Sequence, residues 1–382
     1  MKYILQIFNG SWNEAKATPE EIIRKIDDIS LRIPVSQVII GYQINPAAYR
    51  EIGAYLHQAG IRMLLWLPVF SAVTEITETD ESLDIFGRKI ITPEEQAKDG
   101  FVFVCPSSPR NIQNIKDIYE KNFSDCGFDG VFLDRIRTQS FTSGVSGVLS
   151  CCCPRCREAF LKRGVDISQT AERYEASGDS FFDMNAWPMS GAFELKDRLA
   201  QKFFLAKEEI IAEAVSDLCR HFKEQGLTVG LDLFSPMVSR FVGQNYDLIT
   251  KDADFIKPML YRRTEAPAGP GYEFALFKKH VPEARTREEV PMDLAFLNAQ
   301  LAAMQQLPCE KYPGIEVNYY KGGVDTSPEY IGESLSAVKD HGYEGAVLCW
   351  NVMEAPEEHI EAISKLQSAS AAFSPCKAVY LS

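Results

Sequence analysis

No stretch of this 382-residue sequence approaches the roughly 18 consecutive apolar residues of a membrane-spanning helix, so no membrane partner is expected. The first residues, MKYILQIFNGSW, lack the long hydrophobic segment and small-residue cleavage site of a signal peptide. They read as a first β-strand, and the expected location is cytoplasmic. Positive charge is scarce: 40 Lys and Arg stand against 53 Asp and Glu, a net charge of −13. Nucleic-acid binding needs a basic footprint and is not expected. No GxGxxG follows the first strand, so an open doubly wound sheet lacks its dinucleotide fingerprint, and no organic cofactor is expected. Neither repeats nor low-complexity linkers divide the chain. The ten cysteines are no disulfide framework at this length. Cys105, Cys126, Cys219, Cys309 and Cys349 are scattered singly, mostly beside apolar residues, and read as buried thiols in a reducing compartment.

What is present is an alternation. Short β-rich apolar runs occur at Tyr3–Phe8, Gln37–Tyr42, Arg62–Leu67, Asp129–Asp134, Thr228–Leu233, Asp254–Tyr261, Gly314–Asn318 and Gly345–Trp350. Helical patterns separate them, at Pro19–Ile29, Pro46–Ala59, Pro109–Asn122, Leu195–Gln225 and Pro328–His341, several opening with Pro in the first turn. Eight near-continuous apolar strands with intervening helices predict an α/β protein, a (β/α)8 TIM barrel. Two connections are too long for simple loops. They are insertions of about 68–127 and 138–227, long cap loops after strands 3 and 4. The barrel is expected over 1–369, with 370–382, including Cys376, as a tail.

Active sites of such barrels sit where the strands run out. The strand ends here carry three carboxylates, Asp134, Asp232 and Glu316, with the aromatics Trp66, Tyr261 and Trp350 and the amides Asn318 and Asn351. Two carboxyls across a pocket are the minimum for glycoside hydrolysis, one protonating the leaving oxygen and the other attacking the anomeric carbon or activating water. Aromatic faces that stack on sugar rings fit the same chemistry. The bland alternative is a charge network in which these acids only neutralise neighbouring cations. Strand parity makes Asp134 the safest acid, since it shares a face with Phe132, whereas Arg135 shares one with Val131 and Leu133.

The run Cys126-Gly127-Phe128-Asp129-Gly130-Val131-Phe132-Leu133-Asp134-Arg135-Ile136-Arg137 follows Val104-Cys105-Pro106-Ser107-Ser108-Pro109. Together they resemble the loosely characterised glycoside-hydrolase-like TIM-barrel proteins, in which a CPS/N-x-P turn and helix precede a GxDGxxxDxxR strand. Cys153-Pro154-Arg155-Cys156 and the run Asp254–Tyr261 resemble further segments of the same group. The resemblance extends from about residue 37 to 355. It implies that Asp134 is an active-site acid, as does likeness to the α-amylase superfamily, whose fourth strand ends in a nucleophilic Asp. The sequence lacks the Asn-Glu pair of the large retaining clan on strand four and the DxxDxDxE run of chitinases. Glu316 on strand seven is where the nucleophile of the first clan would sit.

Cys151, Cys153 and Cys156 have the C-x-C-x-x-C spacing of a structural zinc site that still needs a fourth ligand, and no histidine lies near them in sequence. Free thiols, a loop disulfide, an iron–sulfur cluster or a catalytic thiol are the alternatives. The aromatic loop from Gly178 to Pro188 reads as a packed part of the cap. Arg135, Arg137, Lys257, Arg262 and Arg263 gather on strands four to six, which points to an anionic sugar as carbohydrate substrate, gripped by planar guanidinium forks. Two rival readings stay open: a non-catalytic carbohydrate-binding barrel, and a Schiff-base lyase or aldolase that uses Lys257.

Overall fold

Strands rich in Ile, Val and Leu form where the alternation predicts them. The computed structural model describes residues 1–71, 77–91, 102–184, 194–284 and 289–372, with side chains through 368. Its barrel strands are β1 Lys2–Phe8, β2 Val35–Gly41, β3 Arg62–Pro68, β4 Gly130–Asp134, β5 Thr228–Phe234, β6 Phe255–Met259, β7 Gly314–Glu316 and β8 Gly345–Cys349. All neighbours are parallel, and the sheet closes through β6 and β7 at Met259 and Gly314. The fold is a (β/α)8 TIM barrel, and the open-sheet alternative falls with that closure. The last three strands end earlier than the sequence pattern indicates. Tyr261, Arg262, Asn318 and Trp350 therefore stand on loops at the C-terminal mouth.

Alternation along each strand divides the core in two. Leu5, Val38, Leu65, Val131 and Leu231 face a layer of helices. Ile4, Ile39, Leu64, Phe132, Phe255 and Val347 fill the barrel itself. Phe132 and Phe255 stack at 6.0 Å in the interior. Gly230 makes room for them, since a Cβ there would lie 2.1 Å from the Phe255 ring. A one-residue slip of β4 or β6 would exchange these rings for the helix-facing Val131, Leu133 or Ile256, so the register is strongly specified.

The surrounding helices include α1 Pro19–Ser30, α2 Pro46–Gln58, α3 Pro109–Asn122, α4 Arg198–Glu224, α5 Leu294–Ala303, α6 Pro328–Asp340 and α7 Glu357–Ala372. The Pro-first signals mark real starts. Thr18, Asn45, Ser108 and Ser327 each cap the helix that begins at the next residue, their side chains accepting from the backbone N–H three residues on.

The long loops form a cap whose aromatics pack in one apolar cluster with the barrel interior. Phe141, Phe182, Phe204, Phe241 and Phe277 pack edge-on or tilted at 5.3–6.3 Å, and Phe160 stacks on Phe203 of α4 at 5.0 Å. Phe181 and Phe182 are fully buried, as a packed cap requires. The remainder of that aromatic loop, with Trp187, lies outside the described residues, as do 373–382 with Cys376.

Candidate active site at the barrel mouth

Asp134 is the last residue of β4, and the chain turns there because Arg135 takes a left-handed conformation, φ 53°. A non-glycine residue held at positive φ is uncommon and concentrates at functional sites. The turn resolves the parity conflict: the strand has ended, so Asp134 and Arg135 both reach the mouth. The Asp134 oxygens meet N–H groups rather than a guanidinium, with Trp66 Nε1 donating to Oδ2 at 2.9 Å and the Arg135 backbone N–H to Oδ1. Arg135 itself donates to the Tyr42 hydroxyl at 3.0 Å and to Ser71 Oγ at 3.3 Å.

Asp232 stands one strand away. Leu133 pairs with Leu231, so Asp134 and Asp232 are the next positions of that register, and Asp232 pairs in turn with Lys257. The three side chains form one row across β4, β5 and β6, pointing inward. Lys257 Nζ donates to both Asp232 oxygens at 3.0 Å and to the Tyr261 hydroxyl. Gly314 permits this, since a Cβ there would meet Lys257 Cε at 2.7 Å. Burial pushes the Asp232 carboxyl up to about 7; Lys257 opposes that shift and the charge of Asp134 adds to it. An amine that spends its three N–H bonds in this way has no lone pair aimed at a carbonyl, which weighs against Schiff-base chemistry at Lys257.

Removing one member of a buried pair leaves the other uncompensated. Lys257→Met should therefore lose about 3–5 kcal/mol in chemical denaturation, and adding Asp232→Leu should recover most of it. A single variant as stable as the parent would show that the pair holds nothing in place.

Glu316 ends β7 and is fully buried. Its Oε1 accepts from the Arg263 backbone N–H at 2.6 Å, and Tyr330 of α6 donates to Oε2 at 2.8 Å. Burial pushes this carboxyl up to about 7, against the opposing effect of those donors. A carboxyl raised by folding adds stability that is complete below its ordinary value of 4.5 and is lost as the pH rises through about 7. Glu316→Gln removes that dependence. The variant should gain on the parent by about 3 kcal/mol between pH 4.5 and pH 8, read from urea midpoints. Parallel pH profiles for the two proteins would contradict the burial argument.

The other expected site residues divide into those at the mouth and those held elsewhere. Tyr42 and Trp66 meet edge-on at 6.0 Å, Phe8 and Trp12 pack on them, and Trp350 contacts Tyr320 at 6.2 Å. Asn351 accepts from the Phe8 backbone N–H at 3.2 Å, which joins the two aromatic groups. Asn318 accepts from the Trp350 N–H at 3.3 Å, while its buried Nδ2 finds no partner among the described residues. Tyr261 is buried beneath the mouth on Lys257. Arg137 lies buried between the rings of Phe103 and Phe234, each 4.4 Å away, and burial lowers it to about 10. Arg262 turns outward to Glu333 and Ser334 at 2.8 Å.

With this geometry in place, the solved structures decide the class of fold. The barrel matches the PgaB (BpsB) glycoside hydrolase domain from Bordetella bronchiseptica with a TM-score of 0.63 at 14% identity, over 95% of this chain and 98% of that one. The fold is a glycoside-hydrolase-like TIM barrel. The catalytic domain of β-amylase from Paenibacillus polymyxa matches at 0.57 and 9% identity, over 98% and 99% of the two chains. The α-L-fucosidase isoenzyme 2 from Paenibacillus thiaminolyticus matches at 0.53 and 11%, over 97% of this chain and 49% of that one. No protein-family model matches the sequence, and no curated protein matches it.

Beside the mouth of this glycoside-hydrolase-like barrel, the cap carries a four-cysteine cluster that the linear spacing missed. Cys105 is no scattered thiol: its Sγ lies 3.4 Å from that of Cys153 and 3.5 Å from that of Cys156. With Cys151, all four sulfurs fall within 4.8 Å of one another. A tetrahedral ion with bonds of about 2.3 Å to sulfur needs sulfurs roughly 3.8 Å apart, so the cluster is able to hold a metal ion. Cys152 faces elsewhere, toward the Leu149 carbonyl. The clue to Cys105 was its place in a Cys-Pro turn ahead of a capped helix. Tyr42 stood at a predicted strand end, whereas Tyr330 and Ser71 gave no such clue, because only the closed barrel carries them to Glu316 and Arg135. Among the described residues no helix is long and apolar enough to cross a membrane.

Proposed function

We propose that this chain hydrolyses a glycosidic bond at the C-terminal mouth of its barrel, with Asp134 meeting the sugar and Asp232 as its partner. The observation that carries the reading is their pairing. Asp134 alone of the three carboxylates reaches solvent, and a second acid with a pKa of about 7 stands beside it. A carboxyl raised by burial is suited to the acid role, keeping its proton until the leaving oxygen takes it. Adjacent strands lie about 4.8 Å apart, which favours the short carboxyl separation of retaining enzymes. In this reading an Asp134 oxygen bonds to the anomeric carbon as the glycosidic C–O bond breaks, and protonated Asp232 gives its proton to the departing oxygen. Water then releases the sugar and restores Asp134, its proton returning to Asp232. Glu316, capped by Tyr330 and the Arg263 N–H, shapes the far wall. The glycoside hydrolases of like fold support the reaction class.

The rings of Phe8, Trp12, Trp66 and Trp350 around the mouth suit stacking against a carbohydrate. An anionic sugar would meet exposed Arg263, because Arg137, Lys257 and Arg262 are taken up by protein partners and buried Arg135 is held by Tyr42 and Ser71. We assign the four-cysteine cluster to structural zinc, as a closed all-thiolate set in a cap suits that ion.

The test is a screen of neutral, uronate and sulfated oligosaccharides for newly released reducing ends, with Asp134→Asn in parallel. Turnover by the parent that disappears in the variant supports the proposal. Binding of a glycan without any turnover would replace it with a carbohydrate-binding barrel.

A further inference from the structure

The four cysteines come from two different loops. Cys105 belongs to the connection after β3, while Cys151, Cys153 and Cys156 belong to the connection after β4. A metal ion bound by all four would clamp one loop to the other. Cys105 is firmly set in its own segment, its N–H donating to the Asp80 carbonyl at 2.9 Å and its carbonyl accepting from Asn111 Nδ2 at 2.9 Å.

The residues just before Cys105 lead to the site. The Val104 N–H donates to the Phe70 carbonyl at 3.0 Å, and the Phe70 N–H donates to the Arg135 carbonyl at 3.3 Å. Phe103 bridges to Ser71, whose hydroxyl accepts from Arg135. The Phe103 ring forms one face of the slot that holds the Arg137 guanidinium. From the other loop, the Cys152 N–H donates to the Leu83 carbonyl at 2.8 Å, and Ser150 pairs with Asp84. Residues 103–105, packed on residues 70 and 71, thus join Cys105 to Arg135 and Arg137, the two cations that follow Asp134.

We propose that the four-cysteine metal centre is a positioning element of the active site, which through Cys105 holds Phe103 against Arg137 and Ser71 against Arg135 and so fixes the turn that presents Asp134. The centre takes no part in bond making. Metal binding displaces the thiol protons and adds a bond network that ties the two loops into one wall. Small displacements of a reacting group matter, since a shift of about 1 Å costs up to roughly 100-fold in rate. Phe103 is the link that can be broken without touching either the metal ligands or the carboxylates.

The inference rests on the zinc assignment and not on the hydrolysis itself, and its experiment separates the two. The protein is labelled with 15N-tryptophan, and the indole signal of Trp66, the donor to Asp134, is assigned with Trp66→Phe. Metal content is measured by plasma mass spectrometry, and cobalt exchange reports four-thiolate ligation by its charge-transfer absorption. The expected result is about one equivalent of metal, with a Trp66 signal that moves or broadens when the metal is removed. Phe103→Ala should keep the metal, show the same change and lower turnover of any substrate found by about tenfold or more. Metal bound but a Trp66 signal indifferent to its removal would overturn the inference. No metal and no cobalt uptake would overturn the zinc assignment and this inference with it, while leaving hydrolysis standing. Should the stripped protein unfold, Phe103→Ala decides: a displaced Trp66 signal supports the inference and an unmoved one overturns it.

Discussion

Asp134→Asn is expected to lower kcat by about 10³-fold or more, the range general acid–base and nucleophilic groups command. Fold and glycan binding should survive. Both partners of the Asp134 oxygens are N–H donors. An Asn must therefore turn its own NH2 toward one of them, which should cost about 1–2 kcal/mol of stability. The loss of rate is far larger than so small a destabilisation explains, and this separates chemistry from structure. Trp66→Phe removes one donor and leaves the carboxylate, so about tenfold is expected, mostly in kcat. Asp232→Asn should remove the proton donor's share of the pH limb near 7, where the buried Glu316 also titrates but away from the reacting bond. Steady-state kinetics of the three variants on one substrate checks all of this. An Asp134→Asn enzyme retaining a tenth or more of the parental rate would move the chemistry to Glu316.

Cys105→Ser is the second large effect. Serine cannot supply a thiolate, so the metal should fall from about one equivalent to a small fraction and the clamp between the two loops should open. Structural zinc contributes roughly 10 kcal/mol or more in small domains whose folding creates the site. Here the cysteines lie in the apolar cluster that the cap shares with the barrel interior, apart from the helix-facing core, so the loss should be greatest in the cap. Calorimetry should show a cap transition below the barrel transition, with a local loss of about 3 kcal/mol or more. Cys152→Ser is the matched control, since its sulfur lies outside the cluster and should leave the metal in place. Equal metal content and melting in both variants would show that Cys105 is only a buried thiol.

These two residues illustrate what can be read along a chain. The place of Asp134 at a strand end was legible because an apolar run stops in a carboxylate after a Gly-Phe-Asp-Gly turn, a local pattern. Cys105 was not, because it lies 46 positions before Cys151, and only the pairing of the two loops brings the sulfurs together. The gathering of Arg and Lys at the ends of β4 to β6 was legible as composition, yet its meaning was not. Arg137 lies between two phenylalanines, and Arg262 turns out to Glu333. Whether a cation meets substrate or a neighbouring acid depends on side-chain direction past the strand end, where periodicity stops.

The sequence by itself determined the eight-fold alternation, the parallel strands, most helix starts and the strand ends on which the acids stand. Those follow from short-range rules: apolar period, capping side chains and proline's fixed φ. Tertiary structure alone decided which acid reaches solvent, which carboxyl takes its proton near neutrality, and which cysteine completes the cluster. Each of these depends on burial and on distances between residues far apart in the chain, and those are set only when the barrel closes.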